Sequence, residues 1–130
     1  MSESILRNKS KTFAKDIVFL CREIKANYKE LVLANQLLRS GTSIGANIHE
    51  AQYAQSKKDF ISKLEIVQKE CYKTEYWLEL LFETNCIEET KFKKIHNDCG
   101  ARHPGKFCVN KNSFQAKYEY QWLDFTLKSG

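Results

Sequence analysis

Four side chains of metal-binding type fall within thirteen residues: His96, Cys99, His103 and Cys108, spaced H-x2-C-x3-H-x4-C. Two imidazoles and two thiolates can enclose zinc tetrahedrally, and Gly100 and Gly105 would permit the turns. The spacing resembles a zinc knuckle with His in the first Cys place and a shorter middle gap. A small zinc module is therefore one function class to weigh. No metal ligand and no cofactor is assigned from it, because the set straddles a break in the chain's pattern described below.

A second chemical candidate is "LLRSGTSIGANIHEA", residues 37–51, whose glycines and hydroxyls suggest a phosphate cradle. A phosphate loop needs G-x-x-x-x-G-K-[ST], or a glycine-rich turn straight after a strand. Here no lysine follows the second glycine, and the preceding residues have helical character. Read as helix, Leu37, Ser40/Gly41, Ile44, Ile48 and Ala51 form a continuous buried seam. Beside it runs a polar file of Ser40, Ser43, Asn47 and Glu50, with Arg39 nearby. Each helical glycine costs about 1 kcal/mol against alanine, so Gly41 and Gly45 are expected to admit a closely packed neighbour. The polar file is expected to bond across a helix–helix or subunit contact, since buried polar groups need partners. Catalysis is not expected: His49 lies about 100° around the helix from its neighbours and cannot join Ser43 and Glu50 in one site.

The third candidate is a basic surface: Arg7, Lys9, Lys11, Lys15, Arg22, Lys25 and Lys29. Such residues give salt-sensitive, sequence-independent contacts to phosphates. Residues 1–39 hold eight Lys/Arg against four acids, and residues 91–111 hold six against one, whereas residues 65–89 are mainly acidic. The net charge of +5 permits a nucleic-acid partner without requiring one. Tyr76, Trp77 and Phe82 are read as core or subunit contacts ahead of base-stacking platforms.

These residues must be carried by helices. Phe13, Ile17, Leu20, Cys21, Ile24 and Tyr28 recur at steps of three and four within "SKTFAKDIVFLCREIKANY". A longer stripe, Phe60, Leu64, Val67, Cys71, Thr74, Leu78 and Leu81, follows Ser56, a helix N-cap with Asp59 in the first turn. Ile61, Tyr76 and Trp77 widen it, and Asn85 and Cys86 mark its exit. A fourth helix starts near Glu88 with Phe92, Ile95 and Cys99. With 130 residues, one proline and five glycines, the expectation is all-α: an up-down antiparallel four-helix bundle whose fourth helix is truncated or altered after about residue 99. Five cysteines do not make a disulfide framework. No apolar run suits a membrane span or signal peptide, so a cytoplasmic protein is expected.

Gln36-Leu37-Leu38-Arg39-Ser40, Ser43-Ile44, Asn47-Ile48, Glu50-Ala51, Asp59-Phe60, Lys63-Leu64, Lys69-Glu70 and the run Glu75 to Leu81 together resemble a known family. These are the four-helix-bundle proteins encoded within intervening sequences of bacterial 23S ribosomal RNA genes. More distantly, the chain is similar to the accessory variability determinant protein of diversity-generating retroelements. The resemblance covers residues 5 to about 99. It implies a small basic protein without catalysis that forms a homo-oligomer, a pentamer in the retroelement case. It further implies association with nucleic acid, RNA for the ribosomal-insert members, and with a reverse transcriptase for the retroelement ones. A protein–protein module without nucleic-acid binding remains the alternative, beside the zinc module.

Residues 100–130 depart from the family. Gly100, Pro104 and Gly105 interrupt the fourth helix, whereas the family continues with a pattern like E-L-x-x-I-L-x-S-I-I-K-T. Degenerate back-translation, advanced by one nucleotide, allows Glu, Leu, Val, Ile, Leu, Glu, Ser, Ser, Val, Leu, Ile, Lys, Thr from position 100. The domain is therefore taken as residues 1–99, followed by a divergent tail that a frameshift would explain. Tyr118, Trp122 and Phe125 lie at helical spacing, so the tail reads either as a short docked helix or as a disordered end. The gene's nucleotide sequence is expected to show helical periodicity in the shifted frame after codon 99; an aperiodic shifted frame excludes this origin.

Overall fold

The computed structural model describes residues 2–99, with the side chains of residues 2–5 left aside. Four helices follow one another: α1 (Ser2–Tyr28), α2 (Leu31–Ala51), α3 (Lys57–Glu83) and α4 (Glu89–Cys99). Each packs against its two neighbours, α1 on α2 and α4, α3 on α2 and α4, which closes an up-down bundle. The tail, with His103, Cys108, Tyr118, Trp122 and Phe125, lies outside the described residues.

Local chemistry explains each boundary. α1 begins at Ser2, two turns before the expected start, because Leu6 prolongs the apolar stripe and packs on the core. Lys29 turns the chain in the left-handed region at φ 56, and Glu30 caps α2 by accepting the Leu33 N–H at 3.1 Å. Ser56 caps α3 as expected, accepting the Asp59 N–H at 3.1 Å, while Asp59 accepts the Gln55 N–H at 3.3 Å. At the exit of α3, Asn85 adopts φ 66; its N–H donates to Phe82 O, and the Cys86 N–H donates to Leu81 O. That paired arrangement is the Schellman stop, with Asn in the usual glycine place.

The core follows the stripes. Ile17, Ile24, Leu37, Ile44, Ile48, Leu64, Val67, Leu78 and Leu81 are wholly enclosed, with Phe13, Leu20, Phe60 and Ile95 around them. Two stripe residues depart from expectation. Tyr28, at the last turn of α1, is 52% exposed, and Tyr76 is 57% exposed; their hydroxyls favour water at the ends and edges of a stripe.

Residues 37–51 are helical throughout, and their glycines face α1. A Cβ on Gly41 would lie 2.9 Å from both Cγ1 and Cγ2 of Ile17, and one on Gly45 would lie 3.3 Å from the Ser10 carbonyl oxygen. Ile17 is fully buried and β-branched, so it has neither room nor rotamer freedom to yield. Gly41→Ala is expected to cost about 1 kcal/mol of stability in urea unfolding, overpacking outweighing the gain in helix propensity. Gly45→Ala, which meets its neighbour less tightly, is expected to be near neutral. A stabilised Gly41→Ala would show that the contact is not tight.

Candidate functional site

The basic residues of α1 do not form one surface. At about 100° per residue, Arg7, Lys11, Lys15, Arg22 and Lys25 fall within an arc of about 80°, while Lys9 sits about 160° away from Lys11. Lys29 is not on the helix at all; it occupies the left-handed turn after it. The remaining five file along the α2 side of α1. The two acids of the helix's middle, Asp16 and Glu23, occupy the opposite flank. There Lys91 pairs with Glu23, and Lys94 reaches Asp16 at 3.5 Å and Asp98 at 3.0 Å. Among the described side chains no carboxylate pairs with Lys11, Lys15, Arg22 or Lys25. Helix α4 thus neutralises one flank of α1 and leaves the other electropositive.

This flank borders a groove of about 330 Å³ between α1 and α2, lined by Arg7, Ser10, Lys11, Thr42, Gly45 and His49 among others. The bare Gly45 makes room for its floor. Across the groove, Arg7 Nη2 donates to His49 Nδ1 at 3.4 Å. The His49 ring meets Tyr53 edge-on, with centroids 5.5 Å apart, and Tyr53 is 71% exposed. Cationic side chains beside an exposed aromatic ring suit a nucleic-acid strand: phosphates on the cations, a base on the ring. His49 and Tyr53 were missing from the expected surface. Their only sequence signal is an i, i+4 aromatic pair at the exit of α2, which nothing but the groove distinguishes from chance.

The polar file of α2 divides. Ser40 is buried and meets Thr74 across to α3 at 2.9 Å. Each hydroxyl also has a backbone acceptor in its own helix, Leu37 O for Ser40 and Glu70 O for Thr74. Glu50 is exposed and pairs with Lys63 of α3 at 2.9 Å. Asn47 instead bonds within its own helix, donating to Ser43 O at 2.8 Å and Ser43 Oγ at 3.0 Å. Arg39, exposed, lines a second groove of about 250 Å³ with Ser40, Ser43, Glu70, Lys73 and Trp77. Gly41 and Ile44 are enclosed within the chain's own core, and Gly45 lies half-buried against α1.

His96 and Cys99 do not converge. His96 Nε2 lies 3.0 Å from Glu79 Oε1 and 3.8 Å from Glu75 Oε1 on α3. The Cys99 thiol is buried and donates to the Cys71 carbonyl at 3.4 Å. Burial, reinforced by the nearby Glu75 charge, pushes the Cys99 pKa up to about 12. The described half of the His/Cys spacing is therefore not a zinc pair: one member faces carboxylates, and the other is a core thiol held protonated. Cys21, donating to Ala34 O at 3.2 Å, is likewise raised to about 11 by burial, with Lys25 acting weakly the other way.

Among the described residues no helix is long and apolar enough to cross a membrane. The family model for the 23S rRNA-intervening sequence protein matches residues 2–102. A solved structure, a protein of unknown function from the S23 ribosomal protein family of Bacteroides thetaiotaomicron VPI-5482, is 51% identical. The match covers 72% of this chain and 87% of that one, with a TM-score of 0.71. No curated protein matches the chain.

The two raised thiols set a pH dependence. Their folded pKa values exceed the ordinary cysteine value, so the stability they contribute is complete below about pH 9 and falls as pH rises towards 11–12. Urea titrations from pH 7 to 11 are expected to show a decline above pH 9 that Cys21→Ala reduces. At pH 8, alkylation is expected to label the partly exposed Cys86 before Cys21 and Cys99; equal labelling rates in the folded protein would contradict the buried placement.

Proposed function

The chain belongs to the 23S rRNA-intervening sequence protein family, and from that premise we propose that it is a non-catalytic helical bundle that associates with RNA. The strand would lie along the open flank of α1. The observation that carries this reading is the segregation of charge on α1 among the described side chains: Asp16 and Glu23 are turned to the lysines of α4, and Arg7, Lys11, Lys15, Arg22 and Lys25 lie on the flank beside the α1–α2 groove.

From Arg7 to Lys25 the flank runs about 27 Å at 1.5 Å per residue. Tyr53, exposed and edge-on to His49 of the groove, would stack on a base. Self-association belongs to the same proposal. At the corner where α1 gives way to α2, Tyr28, Leu31 and Val32 are all more than half exposed, an apolar surface a second copy would cover. In an oligomer the basic flank would recur and strengthen binding through multivalency. The RNA reading needs neither a reverse transcriptase nor a five-fold ring, which belong to the retroelement resemblance alone.

Fluorescence anisotropy with a labelled single-stranded RNA, repeated across salt concentrations, tests the proposal. Five phosphate contacts give a slope of log K against log salt of roughly −3.5, from 0.7 per contact. Lys15→Glu with Lys25→Glu is expected to weaken binding and flatten that slope by about 1 or more. Tyr53→Ala is expected to weaken binding about tenfold, within the 1–3 kcal/mol typical of a stacked base, with the slope unchanged. Salt-independent binding, or complex formation indifferent to the charge reversal, would favour the protein–protein module instead.

A further inference from the structure

At the opposite side of the bundle from the basic flank, three ligating side chains converge from two helices. Glu75 and Glu79 stand one turn apart on α3, so both carboxylates leave the same face. His96 of α4 projects between them, and one ligating atom from each residue lies within 4.8 Å of the other two. The His96 Nε2 separations of 3.0 and 3.8 Å from the two Oε1 atoms bracket the ~3.3 Å edge of a tetrahedron with bonds of about 2.0–2.1 Å.

Three further observations point to a cation. The second carboxylate oxygen of Glu75, Oε2, is sealed from solvent and has no hydrogen-bond partner among the described residues, although buried carboxylate oxygens ordinarily have one. Glu75 and His96 keep only 18% and 15% of their side-chain exposure, so water screens their charges poorly. Two carboxylates sharing one imidazole carry a net negative charge in either state of the ring, which a divalent ion offsets. The imidazole is also held in place: Phe92 lies 5.0 Å from its centroid and is itself stacked on Phe82 at 4.2 Å. Glu79, at 38% exposure, opens the cluster to solvent and provides an entry path.

We propose that Glu75, Glu79 and His96 form a site for one divalent first-row transition ion. A nitrogen donor beside two carboxylates favours such an ion over Mg²⁺ or Ca²⁺. Bound there, it ties α4 to α3. Helix α4 has 11 residues, shorter than an isolated helix that is stable in water, so a cross-helix ligand set would hold it where it neutralises α1. The site is distinct from the spacing of His96, Cys99, His103 and Cys108, because it takes its oxygen donors from α3 and no sulfur.

The test uses the full chain, stripped with a chelator and then titrated with Zn²⁺ by calorimetry and Co²⁺ by absorption. One ion per chain is expected, with ligand-field bands, no sulfur-to-cobalt charge-transfer band, and a raised melting temperature. Glu75→Gln and His96→Asn are expected to weaken binding by more than the roughly 10–100-fold typical of removing an outer-shell partner. His103→Asn combined with Cys108→Ser is expected to leave it unchanged. Glu79→Gln, at the most exposed ligand, is expected to weaken binding while keeping the metal-free circular dichroism spectrum, and it decides the matter if the other two variants misfold. Absence of saturable binding, retention of it in Glu79→Gln and His96→Asn, or a thiolate band lost on Cys108→Ser would overturn the proposal.

Discussion

The close approach of α1 and α2 is the contact on which the other features of this bundle depend. Gly41 sits against the branched side chain of Ile17, and Gly45 sits against the backbone carbonyl of Ser10. A side chain at Gly41 would have to displace Ile17, which is wholly enclosed. The helical register of residues 37–51 and the approach of α1 therefore require one another. Two glycines in a helix cost roughly 2 kcal/mol of propensity, and the packing they permit offsets it. The same contact places the seam of Leu37, Ile44 and Ile48 in the core, and it leaves the shallow groove whose rim carries Arg7, Lys11 and His49.

Charge is distributed by the fourth helix. α1 alone is a mixed helix, basic residues outnumbering acids without excluding them. Once Lys91 and Lys94 are laid beside Glu23 and Asp16, the flank facing α4 is balanced and the flank facing α2 is not. Exposed ion pairs of this kind contribute little stability; their consequence here is where the uncompensated charge ends up. A helix as short as α4 cannot hold such a position by itself, and its anchors are Ile95 and Cys99 in the core and His96 between two α3 carboxylates.

Much of the fold was legible in the sequence because burial on a helix leaves a period. The seam of α2 and the central stripe of α3 from Phe60 to Leu81 are buried residue for residue, with Tyr76 at the widened edge exposed, and the Ser56 cap and the Asn85–Cys86 exit fall where turn chemistry places them. Leu6, Tyr28 and Lys29 mark where the period fails. A single apolar residue two turns beyond a stripe, a tyrosine at its end and a lysine in a left-handed turn cannot be told apart by spacing alone. The candidate site was less legible still. Lys9 looks like its basic neighbours in sequence and lies on another face, while His49 and Tyr53 gain meaning only beside Arg7.

By itself, the sequence determined which faces must be buried, that α3 is capped at Ser56, that two glycines four apart need a close neighbour, and which family the pattern resembles. These are properties of one helix at a time, set by a periodicity of 3.6 residues and by local hydrogen bonding. Tertiary structure alone decided which cations remain unpaired among the described side chains, that His96 turns towards Glu75 and Glu79, and that Ser40 finds Thr74. Those outcomes join residues as many as 78 positions apart, as Lys94 and Asp16 are. No local pattern carries such pairings; they exist only once the helices have chosen their neighbours.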